Sequence, residues 1–355
     1  MINHPKPYLQ IPLLKLGAHG GTRVMVEFAN YVASQNVCVR LLLPKGRQDK
    51  DYEFHRNVEV KEVPCLPVRG LDYLTFMLIC PFYMRCGSLV ANFFPTFFAV
   101  CTASVLFRCP YIYFVQDIET WFDGTLGHVL NAVCRLTWRS RRMIATSPYV
   151  AAELQARGHR LLQLVQLGVA EIFLSAPSSE REKLYDLVCF PRREPWKRTD
   201  RIKHVLDAYR AAYGNPRILC VGQDQTLLAM CKSWGCDVVT PQTDQALVEA
   251  LDQSRVVLFT SEREGLGLPP LEGMARGLPA IVYDNEGIRA YMRNGENGFI
   301  VADGGHVDAA KVLHTICNDR ALYHKLSLRA ASDARTFSMT GAFQTMLHFL
   351  LPPKE

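Results

Sequence analysis

Between Ser261 and Glu272 the chain reads S-E-R-E-G-L-G-L-P-P-L-E, with carboxylates at Glu264 and Glu272 on either side of a Gly265-Leu266-Gly267 turn. Val256-Val257-Leu258-Phe259 just before it is short, apolar and rich in strand formers, and Leu271 to Arg276 has helical spacing. The run therefore predicts a buried parallel strand that passes through a glycine turn into a helix. Gly265 and Gly267 let the backbone approach a ligand closely, and the following helix turns the positive end of its dipole toward an anion. Glu264 stays on the loop and Glu272 sits one turn into the helix, so two acceptors surround one polar, hydroxyl-rich ligand.

Strand and helix signals alternate on both sides of Leu174 to Glu182, where L-S-A-P-S-S-E-R-E replaces patterned sequence with a polar connection. That alternation predicts two doubly wound α/β domains, residues 1–178 and 179–338, with an apolar helix around Phe343 to Leu351 after them. The 355 residues, 49% of them hydrophobic, suffice for two cores of ordinary size. Short-period repeats and low-complexity segments are absent.

The net charge of +6 is mild for this length. It suits anionic ligands or an anionic membrane face and falls short of a nucleic-acid-binding signature. Twelve cysteines show no C-x-x-C spacing, and Cys80, Cys101, Cys189 and Cys220 lie within apolar runs. Reduced, buried thiols of a cytosolic protein are expected, rather than a disulfide framework or a zinc site. Met1 to Gln10 is polar and proline-punctuated, unlike a signal peptide. The apolar stretches Leu74 to Met84 and Leu89 to Leu106 are interrupted by Pro81, Asn92 and Pro95, so core elements are expected there rather than membrane spans. The first is also greasy enough for a membrane-facing or acceptor-facing surface.

From Ser261 to Val301 the sequence, with E-G-L-G-L-P-P-L-E-G-M-A-R-G-L-P-A-I-V and N-G-E-N-G-F-I-V, resembles the donor-binding half of retaining GT-B glycosyltransferases. These form the E-x7-E (glycosyltransferase family 4-like) group, which includes bacterial polysaccharide and lipopolysaccharide glycosyltransferases. The resemblance implies an α/β GT-B fold, two Rossmann-like domains facing across a cleft. It assigns the acceptor side to 1–178 and nucleotide-sugar binding to 179–338, and returns the last helix, 339–355, to the first domain. Glu264 would face the transferred sugar and Glu272 the ribose, with Gly265, Leu266 and Gly267 against the donor.

Asp186 to Phe190 predicts a further strand, followed by P-R-R-E-P-W-K-R-T-D. A diphosphate leaving group gains negative charge as its bond to the sugar breaks, and fixed cations there stabilise the transition state more than the ground state. Arg192 and Lys197 supply two cations at the spacing of the family's R-x4-K pair. Pro191 and Arg198 stand where the family often has glycines, so a different loop geometry is expected, while Arg193 and Arg198 read equally as solvated charges. Arg217 to Gly222 and Asp237 to Pro241 read as strands. Family members commonly bind the base through backbone groups from this region, which makes Thr240 and Gln242 candidates. After Glu272 only Gly287 remains of the family's G-G-x-x-E, with Ala290 where the glutamate would fall, so sugar specificity does not carry over.

In the first domain Gly17 to Thr22 opens a periodic apolar helix. Gly20 and Gly21 either hold a phosphate on backbone N–H groups or form a plain tight turn. Their position resembles the family's N-terminal glycine loop. His19 reads as a general base or as a solvated loop histidine. Tyr111 to Val115 predicts a strand that ends in Q-D-I-E-T-W-F and, together with N-F-F-P-T, resembles the rhamnosyltransferase-like branch. Gln116-Asp117 replaces the histidine that many relatives carry at this strand end. Asp117 and Glu119 either meet the acceptor hydroxyl, by hydrogen bonding or proton acceptance, or cap the following turn. Ile144 to Pro148 and a strand-turn at Val165 to Val169 resemble the closing segments of the family's first domain. Arg135 to Arg142, with Trp138, reads as a solvated helix face or as a contact for anionic lipid head groups.

With the resemblance, the chain is expected to be a metal-independent, retaining hexosyltransferase acting in surface polysaccharide synthesis. It would use a nucleoside-diphosphate sugar as co-substrate, with no bound cofactor, and a glycan or lipid-linked acceptor. A cytoplasmic place, peripheral on the inner membrane face, is expected, without a nucleic-acid partner. Arg192, Lys197, Glu264 and Asp117 are the catalytic candidates, and Gly20, Gly21, Thr240, Gly265, Leu266, Gly267 and Glu272 the donor-binding ones. A sugar-nucleotide epimerase or hydrolase on the same fold, or a non-catalytic nucleotide-sugar-binding subunit, is the alternative.

Overall fold

The computed structural model describes residues 9–17, 20–48, 52–68, 70–120, 122, 124–175 and 183–350. By its internal contacts the chain forms two units, Met1–Gln166 with Thr340–Glu355, and Leu167–Met339.

The first unit is built on seven strands: β1 Leu9–Pro12, β2 Val39–Pro44, β3 Val58–Val63, β4 Ser88–Ala91, β5 Tyr111–Val115, β6 Met143–Ala145 and β7 Gln163–Leu164. They pair in parallel in the order β3-β2-β1-β4-β5-β6-β7. β1, β4 and β6 are buried at every residue, as befits strands of a parallel sheet covered on both faces. The helix Gly20–Ser34 lays a stripe of Val24, Phe28 and Val32 on the sheet. Chain order steps one way from β1 to β3 and the other way from β4 to β7. Right-handed crossovers therefore put the helices Leu71–Ile79, Phe94–Phe107 and Gly124–Thr137 together on the opposite face, where neighbouring helices pack on one another. The C-terminal helix Met339–Leu350 packs on Gly20–Ser34, with the Phe343 ring 5.3 Å from Phe28 and 5.7 Å from Tyr31. Its Leu350 carbonyl accepts a 2.6 Å hydrogen bond from Ser88 Oγ at the start of β4.

The second unit has six parallel strands: β8 Tyr185–Cys189, β9 Ile218–Val221, β10 Asp237–Val239, β11 Ser254–Phe259, β12 Ala280–Tyr283 and β13 Gly298–Val301, in the order β10-β9-β8-β11-β12-β13. Strand order reverses between β8 and β11, as it does between β1 and β4 in the first unit. Ligands of open parallel sheets bind outside the carboxyl ends of the strands at such a switch point. The helix Leu268–Ala275 lies so close to β11 that a Cβ on Gly273 would sit 2.3 Å from Val257 Cγ2. Just beyond the helix, buried Arg276 forks onto buried Asp252, with Nε and Nη2 each 2.8 Å from a carboxylate oxygen.

Val165 to Val169 is not a strand of the first sheet. Val169 instead exchanges backbone hydrogen bonds with Phe337 and Met339 at 2.9 and 3.0 Å, within the second unit. All twelve cysteines are free thiols, and seven of them are buried. Among the described residues no helix is long and apolar enough to cross a membrane.

Candidate active site

Because β8 and β11 are neighbours, the loops that leave them meet. Lys197 ends a short 3-10 turn, Pro195–Lys197, and its Nζ lies 2.8 Å from Glu264 Oε1 on the other loop. The side chains are 22% and 12% exposed, so the pair is sheltered yet reachable. Backbone bonds pin the two loops together: Glu262 N–H donates to the Trp196 carbonyl and Thr260 Oγ1 to the Lys197 carbonyl, both at 2.8 Å. Thr199 closes the loop after β8, accepting from Arg192 N–H at 2.9 Å and donating to the Arg192 carbonyl at 2.7 Å. The Arg192 side chain is half-buried and has no acidic partner among the described residues.

Arg198 has φ +48°, the left-handed conformation that glycine adopts freely. A non-glycine residue holds this conformation at a cost of about 1–2 kcal/mol. Its guanidinium meets Asp200 at 3.0 Å and Glu262 at 3.5 Å. Arg193 pairs with Asp224 at 2.6 Å on the surface.

The second loop is held from behind. Gly267 has φ +80° and opens the helix Leu268–Ala275, and its carbonyl accepts a 2.7 Å hydrogen bond from Tyr291 Oη. Burial pushes the Tyr291 phenol well above its usual range, and the charges of nearby Glu264 and Glu272 add to the effect. Glu272 is itself buried, and so is the Leu266 side chain, so any part Leu266 takes in binding passes through its backbone. Behind Glu264 a Cβ on Gly287 would fall 2.4 Å from the Glu264 carbonyl oxygen. Buried Asn285 donates to the Ser261 carbonyl at 3.1 Å, and buried Arg201 donates to the Thr260 carbonyl at 2.8 Å. Arg201 also reaches Asp303 at 2.6 Å and lies over the Tyr283 ring at 4.4 Å. Sequence reasoning missed Arg201, Asn285 and Tyr291. The one available signal was the polar pair Asp284-Asn285 just after the apolar strand β12.

Thr240 follows edge strand β10, two strands from β8, where its hydroxyl accepts from Gln225 Nε2 at 3.1 Å and its carbonyl from Gln242 Nε2 at 3.2 Å. No recorded contact joins it to Lys197 or Glu264.

In the first unit Gly20 and Gly21 start the helix Gly20–Ser34. A Cβ on Gly20 would meet nothing within 4 Å, whereas one on Gly21 would lie 3.1 Å from Gln116 Oε1. Gln116 donates from Nε2 to the Gly21 carbonyl at 3.3 Å and accepts from Thr146 Oγ1 at 3.2 Å, so the glycine turn and the end of β5 meet. Asp117 Oδ1 accepts from Ile118 N–H at 2.8 Å. Glu119 is buried and accepts from Phe94 N–H at 2.9 Å at the start of the helix Phe94–Phe107. Burial pushes its carboxyl well above the usual range, and the Phe94 N–H offsets only part of the shift. Glu119 thus caps the helix Phe94–Phe107, with burial favouring its protonated form. His19 lies outside the described residues. So does Asp49-Lys50-Asp51, a D-x-D sequence in the chain. The expectation that Arg192 and Lys197 hold a diphosphate rests on those cations, not on lack of that motif.

Two doubly wound parallel-sheet units in one chain constitute the GT-B fold. The solved sucrose-phosphate synthase from Thermosynechococcus elongatus shares it with a TM-score of 0.80 at 14% identity, over 96% of this chain and 97% of that one. HepE of Anabaena, solved with UDP-glucose, superposes with a TM-score of 0.74 at 15% identity, over 96% of this chain and 98% of its own. The family Glycosyl transferases group 1 matches residues 172–333, which lie within the second unit. EpsD of Bacillus subtilis (strain 168), whose glycosyltransferase assignment is provisional, is 36% identical over 98 residues, 28% of this chain and 26% of EpsD. The D-inositol 3-phosphate glycosyltransferase of Rhodococcus erythropolis (strain PR4 / NBRC 100887) is 27% identical over 129 residues, 35% of this chain and 29% of that enzyme. The matches thus span less than a third of these curated relatives.

Proposed function

We propose that this chain is a retaining glycosyltransferase that moves a hexose or deoxyhexose from a nucleoside-diphosphate sugar to a hydroxyl of a glycan or lipid-linked acceptor. Surface polysaccharide synthesis at the cytoplasmic face of the membrane is the setting that suits such an acceptor. The observation that carries this reading is the Lys197–Glu264 pair at the switch point of the second sheet, with Arg192 on the same loop as the lysine. Two cations and a helix N-terminus suit a diphosphate. As the sugar–phosphate bond breaks, Arg192 and Lys197 meet the charge that accumulates on the leaving group.

Glu264 holds Lys197 in position until the donor arrives and then faces the sugar hydroxyls, while Glu272 accepts from the ribose. The turn Gly265-Leu266-Gly267 offers backbone to the donor. Thr240 is kept for the base, through its backbone. In the first unit Asp117 is the group for the acceptor, and the Gly20-Gly21 turn is a candidate for binding a phosphate through its backbone N–H groups. No protein nucleophile is needed. The departing phosphate takes the acceptor proton, the acceptor oxygen attacks on the same face, and configuration is retained. HepE, solved with UDP-glucose, supports a donor of this class.

Steady-state transfer from a nucleoside-diphosphate sugar tests the reading. Lys197→Ala and Arg192→Ala are expected to lower kcat roughly 10²–10³-fold with little change in Tm, and Glu272→Ala to raise the KM for the donor. Wild-type turnover should survive EDTA and should depend on acceptor. Unchanged kinetics in all three variants would remove the site, and equal turnover without acceptor would make the protein a hydrolase or epimerase.

A further inference from the structure

We propose that the first unit docks peripherally on an anionic lipid bilayer, through the face made by the helices Leu71–Ile79, Phe94–Phe107 and Gly124–Thr137. The first of these exposes Leu71, Leu74 and Leu78, and Phe82 follows in the next turn. Spacings of three and four residues put them on one outward stripe. The neighbouring helices continue it with Phe98, Val105 and Leu106, then Leu126, Val129 and Leu136. Leu78 is 64% exposed, Val105 75% and Leu126 72%. Exposed large apolar side chains of the second unit, by contrast, are few and scattered, such as Met230, Val307 and Leu328. A contiguous apolar face of this kind marks an interaction surface.

Charge identifies the occupant. Residues 66–109 and 124–142 contain seven arginines, no lysine and a single acid, Asp72. Asp72 is buried and bound by Arg47, so it does not offset them. Arg85, Arg108, Arg135, Arg139, Arg141 and Arg142 are all exposed. Apolar side chains that enter the acyl boundary, with guanidiniums gathered at the C-terminal ends of the same helices and just beyond, are what an anionic bilayer recognises. A second copy of this chain would set the same arginines against each other.

At one margin a cavity of about 440 Å³ is lined by Arg135, Arg139, Arg157, His159 and Trp138. The Trp138 indole Nε1 is buried without a hydrogen-bond partner. Of the cavity's cations only Arg157 has an acidic partner among the described residues, Glu153 at 2.7 Å. Burial and the charges of Arg157 and Arg139 hold the His159 pKa below its usual value. A lipid phosphate in this cavity would relieve that repulsion.

Flotation of the full chain with vesicles of phosphatidylcholine, alone or mixed with phosphatidylglycerol, tests the proposal without calling on sugar transfer, so failure here leaves the donor site standing. At least tenfold stronger partition to the mixed vesicles is expected, falling as salt rises. Leu74→Glu with Leu78→Glu, and separately Arg139→Gln with Arg141→Gln, should each lower it roughly tenfold or more while cooperative thermal unfolding persists. An upward shift of the His159 titration on adding mixed vesicles, followed by NMR, would place a phosphate in the cavity. Equal partition to both vesicle types, or partition untouched in both double variants, overturns the proposal. So does self-association that is lost in Leu74→Glu with Leu78→Glu and is accompanied by no vesicle binding.

Discussion

In the second unit, apart from Arg192, the cations around the loops that leave β8 and β11 are held in pairs, among them Lys197 with Glu264, Arg198 with Asp200 and Arg201 with Asp303, with Arg276 and Asp252 beneath them. At strand ends of the first unit the described links include neutral ones. Asn92 donates to the Pro12 carbonyl at 3.0 Å and Gln116 to the Gly21 carbonyl at 3.3 Å, and burial pushes the Glu119 carboxyl well above its usual range. Under the proposed function, paired cations that an incoming diphosphate can recruit suit the donor, and neutral hydrogen-bonding groups suit an acceptor that presents hydroxyls. The outer faces differ too, apolar and arginine-rich in the first unit and largely polar in the second.

The largest expected effect comes from removing one partner of a buried pair. Asp252→Ala leaves the buried Arg276 guanidinium with only carbonyl and hydroxyl partners around Ser175. It should cost about 3–5 kcal/mol in urea unfolding, because an unmatched buried charge is far more costly than a missing neutral bond. Glu119→Gln in the first unit is the contrasting case. The amide oxygen can still accept from Phe94 N–H, so a loss under about 1 kcal/mol is expected. A large loss there and a small one at Asp252 would reverse the comparison.

Opposite pH slopes sharpen it further. Burial pushes Lys183, which donates to the Asp252 carbonyl at 2.8 Å, down to about 8. Between about pH 8 and 10.5 its unfolded form binds more protons than the folded one, so its contribution to stability rises with pH. For Glu119 the folded form binds more protons, so its contribution is complete below pH 4.5 and is lost as pH climbs toward the raised folded value. Thermal melts of Lys183→Met and Glu119→Gln against wild type should show differences that run in opposite directions along pH. The smallest effect belongs to Gly20→Ala, where the new Cβ meets nothing within 4 Å. Stability should shift by less than about 0.5 kcal/mol. A loss of donor or acceptor affinity without that loss of stability would mark close backbone approach by a ligand.

Much of the strand–turn–helix around Glu264 was legible in sequence, because a buried parallel strand, a glycine turn and a helix each leave local signals. Val256 to Phe259 and the Gly265-Leu266-Gly267 turn sit where those signals put them. The Lys197–Glu264 contact was not legible, since it joins loops 67 residues apart that meet only through strand order. Arg198 left no trace of its positive φ because a non-glycine residue gives no sign of it. Glu119 read as either a site carboxylate or a cap of the turn that follows it, whereas it accepts from Phe94 N–H at the start of a helix 25 residues upstream. The apolar runs of the first unit were visible, but which of their side chains face outward depends on how three helices lie on the sheet.

The most direct test of the account is the melting temperature of the purified chain against UDP, GDP, ADP and dTDP, each with magnesium and with EDTA. A ligand that binds only the native state raises Tm by mass action. The account predicts a shift with one of these nucleotides that survives EDTA and shrinks in Glu272→Ala. A shift that requires magnesium, or none with any of the four, would contradict a donor site built on Arg192, Lys197 and the two glutamates.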